Sequence, residues 1–449
     1  MSTSAAEQYL LELMNRARLD PSGEAALYGI DLNADLEPGT ISNSSKQVLA
    51  PNQCLQQAAT EHSQWMLSTN TFSHTGGGGS MPWDRAQSAG YSWLSVGENI
   101  AWVGTTGTLN LESAVNSIHE NLFRSSGHRE NLMNDAYREV GVSVETGNFS
   151  SGTTYNAAMV TELFGLSGST VYVTGVTYTD TDMDQFYSMG EGLGGVTFVA
   201  QGNSVKTESA GGYSLGVSAS SAVSVTGKID GQSFACTLDM TAGNVKLDIV
   251  SSDTFFSSGS IVLETGINNV SLLGLTGLSA SGNDYANVIV GNDGNNLLSG
   301  MDGDDIISGA GGKDWISGGE GSDKLCGQGG VDLLEGGGQN DKLVGGAGAD
   351  SLIGGAGNDR LIGGGGADVF IFAQGDSRDT IKDFSVEAGD MLRMDEAMWA
   401  SLDLTEKQIV NRYADVVDDG VLFDFGDGQT IMLCGLTTTS GLSDQIDII

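Results

Sequence analysis

The sequence predicts a multidomain α+β protein that ends in a parallel β-roll with a β-rich flank. Three observations predict this class. In the first third of the chain, segments with helical spacing of apolar residues alternate with strand-like runs. Short alternating runs separated by glycine and serine follow from residue 170, and a strict nine-residue period occupies residues 282–371. The chain of 449 residues is too long for one ordinary core.

Changes in the sequence pattern place the domain boundaries. We expect a mixed α and β domain over residues 1–168 and a small all-β sandwich over 169–250. Residues 251–281 have the rhythm of short strands without the full repeat, which predicts a solenoid cap or linker. The nine-residue units over 282–371 predict the β-roll, and 372–449 forms the C-terminal flank.

The first domain should open with an amphipathic helix. Ser4 and Glu7 have the spacing of a capping box, and apolar residues follow at helical spacing until Pro21. Two more helices are predicted in the segments LQQAATEHSQWML and ESAVNSIHENLF. The strand-like segments VGVSVE and YNAAMVTELF complete a mixed α and β domain.

Composition limits the partners of the chain. The formal charge is −38, and the acidic residues are concentrated after residue 169, so binding to nucleic acid or to anionic lipid is not expected. Divalent cations are the natural partners of such a surface. No segment predicts a membrane span, and the N-terminal residues lack the pattern of a cleavable signal peptide. No CxxC pair occurs, so free, buried thiols are expected at Cys54, Cys236, Cys326 and Cys434.

The nine-residue units carry the strongest chemical signal. Ten units follow one another from Gly282 without a change of register, and position eight is always large and apolar. Glycines allow tight turns, and an aspartate at position six supplies a hard carboxylate ligand for Ca²⁺. Because the tract has little apolar area and much like charge, we expect calcium binding and folding to be one event. The predicted calcium ligands are Asp305, Asp314, Asp323, Asp332, Asp341, Asp350, Asp359 and Asp368.

The pattern GGxGxDxUx resembles the RTX repeats of proteins exported by type I secretion. This resemblance implies several bound Ca²⁺ ions, the type I secretion apparatus as a partner, and a secreted, extracellular or loosely cell-surface location. The acidic and then apolar end, DQIDII, is expected to belong to an uncleaved secretion signal. Tyr285 and Gln339 replace the glycine at position four, which argues against calcium sites at those two units.

A second calcium site is predicted in the β-sandwich. The ligand positions of an EF-hand-type loop are filled by Asp180, Asp182, Asp184, the Phe186 carbonyl, Ser188 and Glu191. Gln185 stands where an EF-hand needs glycine, which favours a loop between strands, and a solvated acidic turn is the alternative. The segments TDTDMDQFYSMGEGLGGVTFVA and SAGGYSL resemble bacterial Ig-like domains of the SdrD B type, and the resemblance implies a spacer.

The four histidines all lie in the first domain, beside three motifs. These motifs are TFSH, VGENIAW and SSGHRENLMN, and they are followed by YREVGVSV. Together they resemble the CAP family (cysteine-rich secretory, antigen 5, pathogenesis-related 1) over about residues 5–165. The resemblance implies an α-β-α sandwich and a cleft formed by His74, Glu98, Glu120 and His128. We expect His62 and His119 to be packing residues instead.

The sequence leaves the chemistry of this cleft open. Two imidazoles with a carboxylate could hold Zn²⁺ with an open coordination position, could act as acid and base, or could form a buried polar seam. No GxSxG, HExxH or P-loop motif occurs. The preferred hypothesis is a secreted protein that binds an extracellular target, such as a protein, lipid or glycan. A metal-dependent hydrolase, most plausibly a protease, and a calcium-bridged structural or adhesive matrix protein are the alternatives.

Overall fold

The computed structural model describes residues 3–399 and 402–449. The chain forms two compact units, Met1–Gly259 and Ser260–Ile449. The first unit contains both the predicted α+β domain and the predicted β-sandwich. No disulfide joins the four cysteines, as expected from their spacing. Cys236 is buried as expected, but Cys54, Cys326 and Cys434 are only half-buried.

The described residues of the first unit form six α-helices. They are α1 (Ala5–Leu19), α2 (Pro21–Leu27), α3 (Gln53–Thr69), α4 (Pro82–Ser88), α5 (Leu111–Arg124) and α6 (Ser126–Leu132). The predicted capping box starts α1: the backbone N–H of Ser4 donates to Oε2 of Glu7 at 2.8 Å, and that of Glu7 donates to Oγ of Ser4 at 3.3 Å. Two orphan donors of the first turn are thereby satisfied.

A four-stranded sheet lies among these helices. Its strands are β1 (Ala50–Pro51), β2 (Ser95–Thr105), β3 (Glu139–Ser151) and β4 (Thr153–Leu166), in the order β1-β3-β4-β2. All neighbours are antiparallel except β1 and β3. Leu163 packs with Leu55 of α3, whereas the adjacent Glu162 contacts Asn99 of β2. Successive side chains of a strand point to opposite faces, and both faces of β4 are buried: one carries Met159 and Leu163, and the other carries Val160 and Phe164 beside Glu162.

Close packing of α3 on the sheet requires glycine at one position. A Cβ atom on Gly141 would lie 2.0 Å from the backbone carbon of Leu55. The helix therefore lies directly against the backbone of β3.

The rest of the first unit is a small all-β sandwich, as predicted. Its strands are β5 (Val171–Tyr178), β6 (Thr197–Ala200), β7 (Asn203–Lys206), β8 (Gly212–Val217), β9 (Val223–Ile229), β10 (Gln232–Leu238), β11 (Val245–Val250) and β12 (Thr254–Ser257). One layer has the order β8-β5-β11-β12 and the other β7-β6-β9-β10. The rings of Phe198 and Tyr213 stack between the layers with centroids 3.9 Å apart. Phe234 and Phe255 make a second aromatic contact between them.

The second unit consists mainly of short strands. They are β13 (Ile261–Thr265), β14 (Asn269–Leu272), β15 (Ser279–Ser281), β16 (Val288–Val290), β17 (Leu297–Asp302), β18 (Ile306–Ser308), β19 (Gly311–Gly312), β20 (Trp315–Glu320), β21 (Lys324–Gly330), β22 (Leu333–Gly338), β23 (Lys342–Ala347), β24 (Ser351–Ala356), β25 (Arg360–Gly365), β26 (Val369–Phe372), β27 (Arg378–Ile381), β28 (Met391–Met394), β29 (Ala414–Val417), β30 (Gly420–Gly426), β31 (Gln429–Cys434) and β32 (Ile446–Ile448). Helix α7 (Glu406–Tyr413) lies in the C-terminal flank.

These strands form a parallel β-solenoid of about 8 turns, which confirms the β-roll. Each strand pairs with the strand two units along the chain, as Leu298 with Ile316 and Leu325 with Leu343. The apolar residue at position eight is buried in every unit, namely at Ile289, Leu298, Ile307, Ile316, Leu325, Leu334, Leu343, Leu352, Leu361 and Phe370. A narrow apolar core therefore runs along the roll.

The parallel ladders extend beyond the perfect repeats. On the N-terminal side, β13 pairs with β15 and β14 with β16, so these strands of the predicted cap segment belong to the ladders. On the C-terminal side, β27 pairs with β31 and β28 with β32. The flank is β-rich, as predicted, and β29, β30 and β31 add antiparallel pairs.

Candidate functional sites

The aspartates at position six form two regular rows inside the roll. Oδ1 of Asp323 accepts a hydrogen bond from the backbone N–H of Asp305, 18 residues earlier, at 2.8 Å. Oδ1 of Asp341 accepts from Asp323 in the same way, also at 2.8 Å. Each carboxylate thus closes the turn before it, which fixes the position of its other oxygen.

That other oxygen is buried and has no hydrogen-bond partner in seven of the eight aspartates. The seven are Asp305, Asp314, Asp323, Asp332, Asp341, Asp350 and Asp359. A buried carboxylate oxygen without a partner costs free energy, because it loses water and gains nothing in return. The same missing hydrogen bond in seven successive aspartates indicates that these oxygens bind a common kind of ligand.

Backbone carbonyl groups converge on the same places. A Cβ atom on Gly318 would lie 2.2 Å from Oδ2 of Asp323 and 2.6 Å from the carbonyl oxygen of Gly336. The glycine therefore leaves room between a carboxylate and a carbonyl, and both are oxygen ligands of the kind that Ca²⁺ prefers. The side chains and carbonyls of these units fit calcium.

Burial of these carboxylates raises their pKa values. The pKa of Asp305 and that of Asp341 are raised to about 7, with desolvation as the main cause. The negative charge of Asp323 raises both further. A bound divalent cation would supply the positive charge that these groups lack.

Two residues that the sequence analysis missed continue the rows. Oδ1 of Asp379 accepts from the backbone N–H of Asp359 at 2.9 Å, and Oδ1 of Asp390 accepts from that of Asp368 at 3.0 Å. Their spacings are 20 and 22 residues instead of 18, so a search for a nine-residue period passes over them. At Gln339, which replaces a glycine, the backbone still adopts the left-handed conformation with φ of 72°.

The predicted loop site in the β-sandwich is brought together in part. Carboxylate oxygens of Asp180, Asp182 and Asp184 lie within 4.8 Å of one another. Glu191 has another role, since its Oε1 accepts from the Thr181 N–H at 2.8 Å and its Oε2 accepts from the Ser188 N–H at 2.9 Å. Glu191 therefore closes the loop that presents the three aspartates.

In the first domain, the side chains of His74 and Glu98 are in contact. Nδ1 of His74 is 2.9 Å from Oε1 of Glu98, while the second oxygen of Glu98 pairs with the guanidinium of Arg85. The Glu98 side chain is 1% exposed and that of His74 is 50% exposed. A buried, charge-compensated carboxylate thus orients an imidazole that faces solvent. No motif marked Arg85 in the sequence.

His128 belongs to the same electrostatic environment. Its Nδ1 lies 2.8 Å from Oγ of Ser125, and its backbone carbonyl accepts from Nδ2 of Asn99 at 3.1 Å. Partial burial and the charge of His74 both lower the pKa of His128. The same Asn99 amide donates to Oε2 of the fully buried Glu162 at 3.0 Å. Asn99 thereby links α6, which carries His128, to the sheet.

Glu120 does not share these contacts. Its carboxylate lies 2.8 Å from Nε of Arg124, one turn further along α5, and both side chains are somewhat less than half exposed. The sequence predicted that Glu120 lies on this helix, but it did not predict the ion pair of Glu120 with Arg124. The structure therefore brings together three of the four predicted cleft residues.

The other two histidines are buried. His62 stacks on Trp65, its Nε2 is 3.0 Å from the Ser73 carbonyl oxygen, and burial lowers its pKa to about 4. His119 pairs with the buried Glu24 at 2.9 Å. His62 is also 3.9 Å from Glu98, so it supports the carboxylate from behind His74.

Comparison with protein families agrees with this organisation. The model of the cysteine-rich secretory protein family, CAP, matches residues 11–160. The model of the RTX calcium-binding nonapeptide repeat matches residues 281–316, 308–343, 335–370 and 344–378. The chain carries a CAP domain followed by RTX calcium-binding repeats. It is therefore a calcium-binding protein, and both parts are typical of extracellular proteins.

Three solved structures resemble parts of this CAP and RTX chain. An extracellular protein containing an SCP domain from Bacillus anthracis is 26% identical, covers 27% of this chain and 34% of its own, and has a TM-score of 0.21. The extracellular lipase LipA from Serratia marcescens is 22% identical, with coverages of 42% and 41% and a TM-score of 0.23. An outer surface protein from Borrelia burgdorferi is 21% identical, with coverages of 33% and 96% and a TM-score of 0.21.

The chain thus spans about a third of the Bacillus anthracis protein and less than half of LipA. No curated protein matches it. Within residues 3–399 and 402–449, no helix is both long and apolar enough to cross a membrane.

Proposed function

We propose that this chain is an exported protein that folds on calcium outside the cell and binds an extracellular target through its CAP cleft. The RTX roll is the part that responds to calcium, and the type I secretion apparatus is the exporter that such repeats suggest. His74, Glu98 and His128 form the target-binding group. The β-sandwich gives the CAP domain a rigid support.

The buried, unpartnered Oδ2 atoms of the roll support calcium-dependent folding. The intracellular concentration of free calcium is low, so the roll would stay unfolded during export. Outside the cell, binding of calcium to the folded form alone would shift the equilibrium toward it.

The contacts of Glu98 favour binding over catalysis in the cleft. Both of its oxygens are already engaged, one by His74 and one by Arg85, so the carboxylate is neither an open metal ligand nor a ready base. In both His74 and His128, Nδ1 makes the hydrogen bond within the protein. The other ring nitrogen, Nε2, is therefore the atom that each histidine can offer to a ligand. These two nitrogens suit polar groups of a ligand. They would also be the atoms to hold Zn²⁺ in the hydrolase alternative.

Array binding with matched variants tests this function. The calcium-loaded chain is applied to arrays of extracellular peptides, glycans and lipids, together with the variants His128→Ala and Glu120→Gln. A target bound by the parent chain and by Glu120→Gln, but lost in His128→Ala, supports the cleft as the binding site. Cleavage of a peptide that depends on His128 would replace the proposal with a hydrolase. Equal binding by the parent chain and both variants would show that the target binds outside the cleft.

Export is tested separately. Removal of about the last sixty residues should abolish secretion by a strain that carries the exporter, while His128→Ala should be secreted normally. Secretion of the truncated chain would contradict the assignment of the C-terminal flank as the signal.

A further inference from the structure

Three cations stand in a single line on one face of the roll. Lys324 of β21 is in register with Lys342 of β23, and Lys342 is in register with Arg360 of β25. Neighbouring strands are about 4.8 Å apart, so the charges follow one another at that interval. All three side chains are exposed. We refer to Lys324, Lys342 and Arg360 as the cationic ladder.

One exposed carboxylate, that of Asp304, lies near the end of the ladder, since its Oδ1 accepts from the Ser322 N–H at 2.9 Å. Over residues 3–399 and 402–449, none of the ladder's three members forms an ion pair. The acidic residues between positions 321 and 367 are Glu335 and the aspartates Asp323, Asp332, Asp341, Asp350 and Asp359. The aspartates are buried in the roll, and Glu335 lies on β22, in the other ladder of strands.

This arrangement is unfavourable for the isolated molecule. Like charges directly opposite each other on neighbouring strands repel and destabilise a sheet. The chain has 19 basic and 57 acidic residues, so its formal charge is −38. In such a chain each cation could lie beside an acidic residue, yet these three lie beside one another. An anionic partner on this face would relieve it.

An apolar column runs beside the cations. Val344 and Ile362 follow Lys342 and Arg360 by two residues on the same strands, so they lie on the same face of the sheet. Both are half-buried and remain within reach of a partner. The face thus combines a line of positive charge with a line of aliphatic surface.

We propose that this face binds a linear acidic polysaccharide. Its carboxylates would lie along the cationic ladder, and the apolar faces of its sugar rings would cover Val344 and Ile362. The three cations lie at regular intervals on neighbouring strands. They therefore suit an extended polymer that carries one carboxylate on each sugar residue. The site is separate from the CAP cleft, so it stands whether or not the cleft binds a target.

Two other polyanions fit this face less well. A broad anionic bilayer would also meet the acidic remainder of the chain, whereas a single polysaccharide chain stays within about 10 Å of the ladder, the range over which exposed charges act at moderate salt. Single-stranded nucleic acid needs aromatic side chains on which bases stack. The aromatic side chain of this part of the roll, Trp315, lies on β20 in the other ladder of strands.

Fluorescence anisotropy of the full calcium-loaded chain provides the test. The probe is a labelled oligomannuronate, and the competitors are a neutral oligoglucan of equal length, a thymidine oligonucleotide and vesicles of phosphatidylserine in phosphatidylcholine. The ladder variant is Lys324→Ser, Lys342→Ser and Arg360→Ser together. Its matched control, Lys206→Ser, Lys228→Ser and Lys407→Ser, removes three exposed cations elsewhere. Circular dichroism in calcium checks the fold of both.

We expect the ladder variant to bind the oligomannuronate at least tenfold more weakly, and the control to stay within twofold of the parent chain. A charge-preserving variant, Lys324→Arg, Lys342→Arg and Arg360→Lys, should bind like the parent and decides the matter if the serine variant does not fold. Equal loss in the control variant, or absence of binding by the parent, would overturn the proposal. The proposal would also be overturned if the neutral glycan, the oligonucleotide or the vesicles displaced the probe as effectively as unlabelled oligomannuronate does.

Discussion

Nζ of Lys246 on β11 lies 2.7 Å from Oε2 of Glu12 on α1. Both side chains are buried, and Lys246 also pairs with the buried Asp248 on its own strand. One cation therefore joins a helix of the CAP domain to the β-sandwich and compensates two carboxylates. This ion pair and the hydrogen bonds of the Asn244 side chain to the Val48 and Arg138 carbonyls join the two parts, which form one compact unit although their sequences suggest separate domains.

Replacement of Lys246 by methionine should destabilise the first unit by roughly 3 to 5 kcal/mol, because Glu12 and Asp248 would stay buried without a cation. Urea denaturation followed by tryptophan fluorescence, in calcium, measures the change. Lys228→Met, on an exposed position of β9, is the control and should change stability by no more than about 0.5 kcal/mol. The combination Glu12→Gln, Lys246→Met and Asp248→Asn should recover most of the loss. Equal stability of the two lysine variants would contradict this account.

The buried Glu162 should make the first unit less stable as pH rises. Burial raises its pKa from 4.5 to about 7, so the folded state holds a proton that the unfolded state releases. The stabilisation from that proton is complete below the unfolded pKa of 4.5 and is lost as pH rises through about 7. For one fully buried group the loss is on the order of 3 kcal/mol.

Melting temperatures at pH 5 and pH 8 in calcium test this role. The parent chain should lose more stability between the two values than Glu162→Gln, whose side chain cannot ionise. Glu120→Gln, which alters a partly exposed glutamate, should behave like the parent. If the Glu162→Gln and parent curves were parallel, another group would carry the pH dependence.

The calcium-free roll should fold better in acid than at neutral pH. Burial raises the pKa of Asp379 to about 8 and those of Asp305 and Asp341 to about 7, all from 3.8. Protonation of these groups stabilises the folded roll at low pH, and this contribution disappears as pH rises through about 7 to 8. Far-UV circular dichroism of metal-stripped chain should show more β-structure at pH 5 than at pH 8. Calcium at pH 8 should restore it, and a calcium-free signal independent of pH would refute the prediction.

The sequence predicted most where the chemistry is periodic. The nine-residue period indicated the roll, its buried position-eight residues and its two rows of aspartates. These features were predictable because the same pattern of glycine, acidic and apolar positions recurs over ten units. Asp379 and Asp390 were missed since their longer spacings interrupt the period while the backbone pairing continues. Contacts between distant segments carry no local pattern. The pairing of Arg85 with Glu98 and that of Lys246 with Glu12 therefore required the structure.

The acidic loop of the β-sandwich should hold one calcium ion in addition to those of the roll. Asp180, Asp182 and Asp184 bring carboxylate oxygens within 4.8 Å of one another, and the charges of the other two raise the pKa of Asp184 after the larger effect of desolvation. A divalent cation would remove this repulsion, and Glu191 already holds the loop closed without using the three aspartates.

Native mass spectrometry of the full chain in calcium counts the bound ions. The variant Asp182→Asn with Asp184→Asn should bind one ion fewer than the parent chain. The control, Asp230→Asn with Asp253→Asn, removes two carboxylates of the same domain that lie outside the loop and should bind the full number. A lower count in the loop variant alone would establish a calcium site in the first unit. An unchanged count would mean that the three aspartates form a solvated turn and that calcium acts on this chain through the roll alone.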